Sequence, residues 1–238
     1  MTLLSQRSQI AVEEEAEEGA AETLEAADVF LAFDPSFEPI IEAHERDPVR
    51  ASLSPHGSVF GKRSGRIKFS AELVGTAAAG SANMLSDALK ACGMAETLVV
   101  ATSATYLPAS ASIIAATVGR HIDGKLHRIW GARGNFQLLM EVGKAGIFSF
   151  DFLGADFDEA DAALLEPTFN AVKPPTLQSA SLTIDSYAAT VSRVAIDFGN
   201  VLSLRPDANA ISGHKSAVIT NRRPTISFDP EDVLVAAE

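Results

Sequence analysis

The tetrapeptide Ser212-Gly213-His214-Lys215 sets a serine three residues ahead of a lysine, a spacing with which some acyl-transfer enzymes pair a hydroxyl nucleophile with an amine. In those enzymes the serine opens a helix, whereas here it falls in a glycine-containing loop, and a match this short arises readily by chance. Gly61-Lys62-Arg63-Ser64 ends like a phosphate-binding loop but lacks the upstream glycine at the required distance. His44-Glu45 begins like the helix of a zinc protease, yet Pro48 stands where the second histidine is needed. The chain contains no G-x-S-x-G elbow. A single cysteine, Cys92, forms no intramolecular disulfide and no cysteine-rich zinc site, so it is expected to pack as a small apolar side chain. Carboxylate pairs carry no information in a chain with 31 acidic residues. Trp130 and the phenylalanine-rich segments read as core. No catalytic residue, cofactor or metal ligand is predicted from these motifs, and the positive case for a non-enzymatic role must come from elsewhere in the sequence.

The charge is placed unevenly. Of a net −12, the first 47 residues carry 13 acids against only Arg7 and Arg46, and the remainder is nearly neutral. Gripping a phosphate backbone needs lysine and arginine to displace counterions, so this balance opposes nucleic-acid binding. Residues 1–30 are expected to form an acidic N-terminal arm on a single β domain spanning 31–238, and its charge reads either as solvation that keeps the chain soluble or as an acidic surface that keeps DNA from sticking. The start, from Met1 to Arg7, has no basic flank leading into a long apolar run, which argues against a signal peptide. No stretch approaches the run of about 20 apolar residues that crosses a bilayer.

The elements around these residues read mainly as strands. Ile67, Phe69, Ala71 and Leu73 alternate with Lys68, Ser70 and Glu72, the period of a half-buried strand. Phe33 to Ala43 is extended, with Pro35 and Pro39 suiting a sheet edge. Residues 43–66, rich in Pro, Ser, Gly and charge, read as a long interaction loop. One helix is predicted over 83–92, with Met84, Leu85, Ala88 and Leu89 on one face, Ser81 or Asn83 capping its start and Gly93 ending it. Residues 156–165 suggest a short helical turn, and Lys173-Pro174-Pro175 an extended break. Further strands are expected at 181–184, 190–198, 217–220 and 225–228.

Two hairpins can be given a register. Asp123-Gly124 is a two-residue turn that pairs Ile122 with Lys125, His121 with Leu126 and Arg120 with His127. His121 and His127 then face opposite sides of the sheet and do not share a metal. For the second hairpin, a loop of Gly143-Lys144-Ala145 pairs Met140 with Phe148, Leu138 with Phe150 and Phe136 with Phe152. One face is then wholly apolar, and burying its six large side chains at roughly 1.5–3 kcal/mol each selects this arrangement; Gly146 is expected at a bulge. The opposite face carries Gln137, Glu141, Ser149 and Asp151, with Leu139 and Ile147 among them. The fold class is mainly β: a sandwich or barrel with one flanking helix and a long inter-strand loop.

Five segments in order carry a resemblance: Lys90-Ala91-Cys92-Gly93-Met94-Ala95-Glu96-Thr97, Gly131-Ala132-Arg133-Gly134, Asp161-Ala162-Ala163-Leu164, Asp197-Phe198-Gly199-Asn200, and Ile219-Thr220-Asn221-Arg222-Arg223-Pro224-Thr225. From about residue 9 onward the chain resembles the major tail tube proteins of long, non-contractile-tailed bacteriophages and related prophages. That resemblance implies hexameric rings stacked into a tube, each subunit giving four strands to a continuous inner barrel. Its implied partners are further copies of itself, a tape-measure protein, and tail terminator and distal tail proteins, with DNA passing through unbound and no membrane involved. The implied location is the virion tail, after synthesis in the host cytoplasm. Glu72, Gln137, Glu141, Ser149 and Asp151 become the lumen-facing candidates, on a wall expected to be net negative although Lys68 opposes this. Arg46, Asp47, Arg50, Lys62 and Arg63 become the inter-ring candidates. A β-sandwich module that binds a receptor or carbohydrate is the alternative, and an enzyme using the acidic residues a more distant one.

Overall fold

A computed structural model describes residues 4, 6–54, 56–169, 171–180, 182–183 and 188–231. In chain order the strands are β1 (Ser8–Glu14), β2 (Val29–Phe30), β3 (Ala32–His44), β4 (Val59–Glu72), β5 (Met94–Val99), β6 (Ser103–Pro108), β7 (Ala116–Ile122), β8 (Lys125–Glu141), β9 (Ile147–Gly154), β10 (Asp156–Asp161), β11 (Val191–Asp197), β12 (Asn200–Pro206), β13 (His214–Arg222) and β14 (Thr225–Pro230). Between β4 and β5 lies the helix α1 (Ser86–Ala91). The fold is mainly β and antiparallel, as the alternating segments predict.

β8 organises the molecule. Its first half lies between β7 and β10, and its second half between β9 and β11. The main path runs β2-β1-β7-β8-β9-β4-β3, with β14 beyond β11 and two separate ribbons, β5–β6 and β12–β13. Beneath the β9 side lies an aromatic core. Phe69, Phe136, Phe148, Phe150 and Phe152 are all buried, and the Phe69 and Phe150 rings sit 5.2 Å apart. The helix closes this core with Leu85, Ala88 and Leu89. Gly93 ends the helix at φ +84°, a conformation that strains any residue with a Cβ. The helix begins later than the predicted 83, with Leu85 at its N-cap position. There the Asn83 side chain accepts the Leu85 N–H at 2.9 Å.

The first hairpin has the predicted register, Ile122 with Lys125, His121 with Leu126 and Arg120 with His127. The second has the predicted faces but is slipped by two residues: Phe136 pairs with Phe150 and Leu138 with Phe148. The turn explains the slip. Gly143, not Gly146, takes the positive φ of +78°, and the Lys144 N–H bonds the Glu141 carbonyl at 3.0 Å. Gly146 instead receives the Leu73 N–H at 2.8 Å and lies against that side chain.

Other expectations change. Residues 8–14 join the sheet, because Ile10, Ala11 and Val12 bury themselves between β2 and β7. The 43–66 loop shrinks to a connection over 45–58, since Val59–Glu72 is one strand paired with β3. The predicted helical turn at 156–165 begins as β10, held by ion pairs from β8: Arg128 with Asp158 at 2.6 Å and Lys125 with Glu159 at 2.5 Å. The 181–184 strand falls partly outside the described residues.

Candidate functional site

One broad face of the sheet is polar, and the register fixes its membership because directly paired residues share a face. Across β4, β9 and β8, Lys68 pairs with Asp151 and then Asn135, Ser70 with Ser149 and then Gln137, and Glu72 with Ile147 and then Leu139. β11 continues it, Asp197 beside Gln137 and Arg193 beside Glu141. The structure thus brings Glu72, Gln137, Glu141, Ser149 and Asp151 onto a single face. Sequence reasoning missed how far its carboxylates are compensated. The Arg66 guanidinium grips Asp151 in a two-pronged contact at 2.6 and 2.5 Å, with Lys68 3.6 Å away. Lys144 lies 2.5 Å from Glu141 and holds its carboxyl below the ordinary range. Burial alone would raise Asp197, but donors from Asn135, the Gly199 N–H and Gln137 outweigh it and leave its pKa lowered.

The inter-ring candidates divide. Arg46, Asp47 and Arg50 lie exposed on the 45–58 connection, whereas Lys62 and Arg63 belong to β4. Arg63 Nε is 2.7 Å from Asp156 Oδ1, so that charge already serves the subunit's own packing. The hairpin projects large apolar groups into solvent: Ile41, Val49, Leu53, Val59 and Phe60 are all exposed, Val49 and Leu53 completely.

Four of the five segments that carried the resemblance meet at one junction. Asn200 Nδ2 donates to the carbonyls of Cys92 at 2.7 Å and Gly134 at 2.9 Å. Arg222 donates to Asn200 Oδ1, Gly93 O and Ala109 O, each at 3.0 Å, and its guanidinium lies 4.4 Å over the Phe198 ring. Four distant stretches are locked by these bonds, which is a structural reason for those residue types. Cys92 is fully buried, and burial drives its thiol pKa well up, consistent with packing and not reactivity. Ser212 bonds the backbone of His214, an arrangement with no lysine partner in it. Among the described residues no group of three or more His, Cys, Asp or Glu is disposed to hold a metal ion, and no helix is long and apolar enough to cross a membrane.

A family model described as phage tail tube protein matches residues 5–233, nearly the whole chain. The chain belongs to that family. No curated protein matches it. Phage tail tube proteins are a structural family.

Titration of this tail tube chain has two opposed limbs. Partial burial, a hydrogen bond and charge from Asp28, and the charges of Asp87 and Glu22 push Glu13 up to about 7 from an ordinary 4.5. A raised carboxyl favours the folded state while protonated, so its contribution is complete below pH 4.5 and disappears as pH rises through about 7. Burial lowers the pKa of His121, His127 and His214 below their ordinary 6.5, so their contribution is lost as pH falls below that value. Denaturant midpoints measured from pH 4.5 to 8 are expected to show Glu13→Gln gaining on the parent at pH 8 and matching it at pH 4.5. Equal differences at both ends would remove Glu13 as the group responsible.

Proposed function

We propose that this chain works as a polymer: copies associate into hexameric rings, the rings stack into the tail tube, and the polar sheet face lines a channel through which the genome passes. The observation that carries the reading is a sheet left open at both ends. Among the described residues β3 and β14 each have one neighbour, and β14 is exposed along its whole length with Ile226 and Phe228 facing solvent. An unpaired edge of this kind invites another chain, and closing a sheet across identical copies removes it.

The natural candidates for the four inner-barrel strands that the family likeness implies are β3 and β4, which flank the connection, and β8 and β9 of the second hairpin; these four are consecutive neighbours. Their outward face carries Glu72, Gln137, Glu141, Ser149 and Asp151. Repeated by symmetry, such a wall offers phosphate few free cations, because Arg66 and Lys68 are engaged by Asp151. DNA then slides without a bound state. Arg46, Asp47 and Arg50, on the connection between β3 and β4, reach the adjoining ring. Tape-measure, terminator and distal tail proteins are the remaining partners, and the virion tail is where the protein acts, after synthesis in the bacterial cytoplasm.

Negative-stain microscopy of the purified protein at high concentration tests this directly. Rings of six-fold symmetry or hollow tubes are the expected images. Discrete monomers at every concentration, together with retention of a glycan or receptor, would move the protein to the binding-module reading.

A further inference from the structure

Among the described residues six arginines are at least partly withdrawn from solvent: Arg63, Arg66, Arg120, Arg128, Arg133 and Arg222. Five of them end on acceptors of their own copy. Arg63, Arg66 and Arg128 meet Asp156, Asp151 and Asp158, Arg133 meets Glu18, and Arg222 meets Asn200. Arg120 of β7 is the exception. Its Nε is buried with no acceptor among the described residues. Burial lowers its pKa and no carboxylate opposes that, whereas Asp151 holds Arg66 raised.

The register shows why Arg120 is left over. It pairs with His127 of β8, which pairs with Glu159 of β10, so the three share a face. Glu159 is taken by Lys125 at 2.5 Å, and Asp161 lies opposite Lys125 itself. Between Arg120 and Glu159 stands the His127 ring, stacked on Phe37 at 4.6 Å, with its own Nδ1 buried and unpartnered. A polar group withdrawn from water and left without a partner is costly, and folded chains almost always supply one. The terminal nitrogens of Arg120 are not among the buried atoms, so they open to the surface and to a partner arriving from outside. This chain has 31 acidic residues against 19 basic ones, so a second copy brings carboxylates in surplus. We propose that Arg120 is the receiving half of an ion pair between subunits, completed by a carboxylate of a second copy of this chain. A carboxylate bridging both terminal nitrogens makes the strong, two-pronged form of that contact.

The inference rests on the polymeric reading, and its test separates the two. Assemblies of Arg120→Lys, mixed from isotopically heavy and light copies, are treated with a carbodiimide, which joins an amine to a carboxylate lying against it. Mass spectrometry is expected to find a heavy–light cross-link at residue 120, which also identifies the partner carboxylate. Arg120→Met should leave the Tm of the dissociated protein at or above the parent's, since the copy loses no bond of its own. It should raise the concentration needed for assembly at least tenfold. Arg120→Lys should recover part of that loss, keeping the charge without the planar fork. Arg120→Gln replaces the methionine variant if that one fails to fold. Assembly of the methionine variant at the parent's concentration, a Tm well below the parent's, or no heavy–light cross-link at residue 120 would each overturn the ion pair while the polymer stands. A parent that never assembles removes both. Phosphate that raises the Tm of the parent but not of the methionine variant, with assembly unaltered, would give the site to a free anion instead.

Discussion

Arg133→Ala is expected to lower the unfolding free energy by about 3 kcal/mol, the range for leaving buried partners of a guanidinium unpaired. The Arg133 side chain is only 10% exposed and ends among fixed acceptors. One terminal nitrogen meets Glu18 at 2.9 Å and the Ala217 carbonyl; the other donates to Ile113 O at 2.8 Å. Three stretches remote in sequence, the acidic N-terminal region, β13 and the approach to β7, are thereby fastened to β8. Glu18 keeps Ser216 and Arg205 after the change, so the cost falls chiefly on the two backbone carbonyls and the vacated volume. Arg133→Lys should lose less, because an ammonium still reaches one acceptor but cannot span all three. Urea denaturation of the two variants beside the parent provides the comparison. A loss for the alanine variant below about 1 kcal/mol would show that these bonds exchange with water at no net cost.

The second large effect concerns association. Replacing residues 46–57 by a short Gly-Ser turn should leave the monomer's Tm unchanged and raise the concentration needed for tube formation more than tenfold. The reasoning is one of burial. Val49 and Leu53 make no use of the subunit's own core, being completely exposed, and Phe60 and Ile41 beside the connection are exposed too. Removing Val49 and Leu53 therefore takes nothing from the folded copy. An interface that covers them gains about 25 cal/mol for each Å² of apolar surface removed from water, and a tenfold change needs only about 1.4 kcal/mol. Sedimentation and microscopy across a concentration series read the shift directly. Tubes at the parent's concentration would exclude the connection from the contact between rings, and a fall in Tm would show that it supports the monomer.

Much of the architecture was legible because two kinds of signal are local. A two-residue Asp-Gly turn fixes both strands it joins, and the register around Asp123-Gly124 followed from it. Period-two alternation fixes which side chains share a face, so the polar set of Glu72, Gln137, Glu141, Ser149 and Asp151 could be assembled from the sequence, and the structure brings it together. Alternation is blind to a slip of two residues, since that keeps every side chain on its face. In the second hairpin the choice fell to the turn that the Lys144 N–H closes on the Glu141 carbonyl, with Val142 and Gly143 at its centre, one residue ahead of the expected Gly143-Lys144-Ala145 loop. Strand β10 was misread for a related reason: Asp156–Asp161 has a polar, helix-tolerant composition, and it becomes a strand by pairing with β8, whose Arg128 and Lys125 meet its acids.

By itself the sequence determined the fold class, the Asp123-Gly124 turn, the helix and the want of any catalytic motif, all properties of residues near one another in the chain. It also carried the family likeness, because the five segments behind it are short and ordered. Tertiary structure decided what depends on distant partners. It turned acid-rich residues 8–14 into a central strand, since their apolar side chains had β2 and β7 to meet. It buried Glu15, whose carboxylate accepts the Gly19 and Gly131 N–H groups at 2.7 and 2.6 Å. It neutralised Asp151 through Arg66, 85 positions away in the chain. A charge run reads as solvated until its counter-ions and donors arrive from elsewhere, and no local pattern announces their arrival.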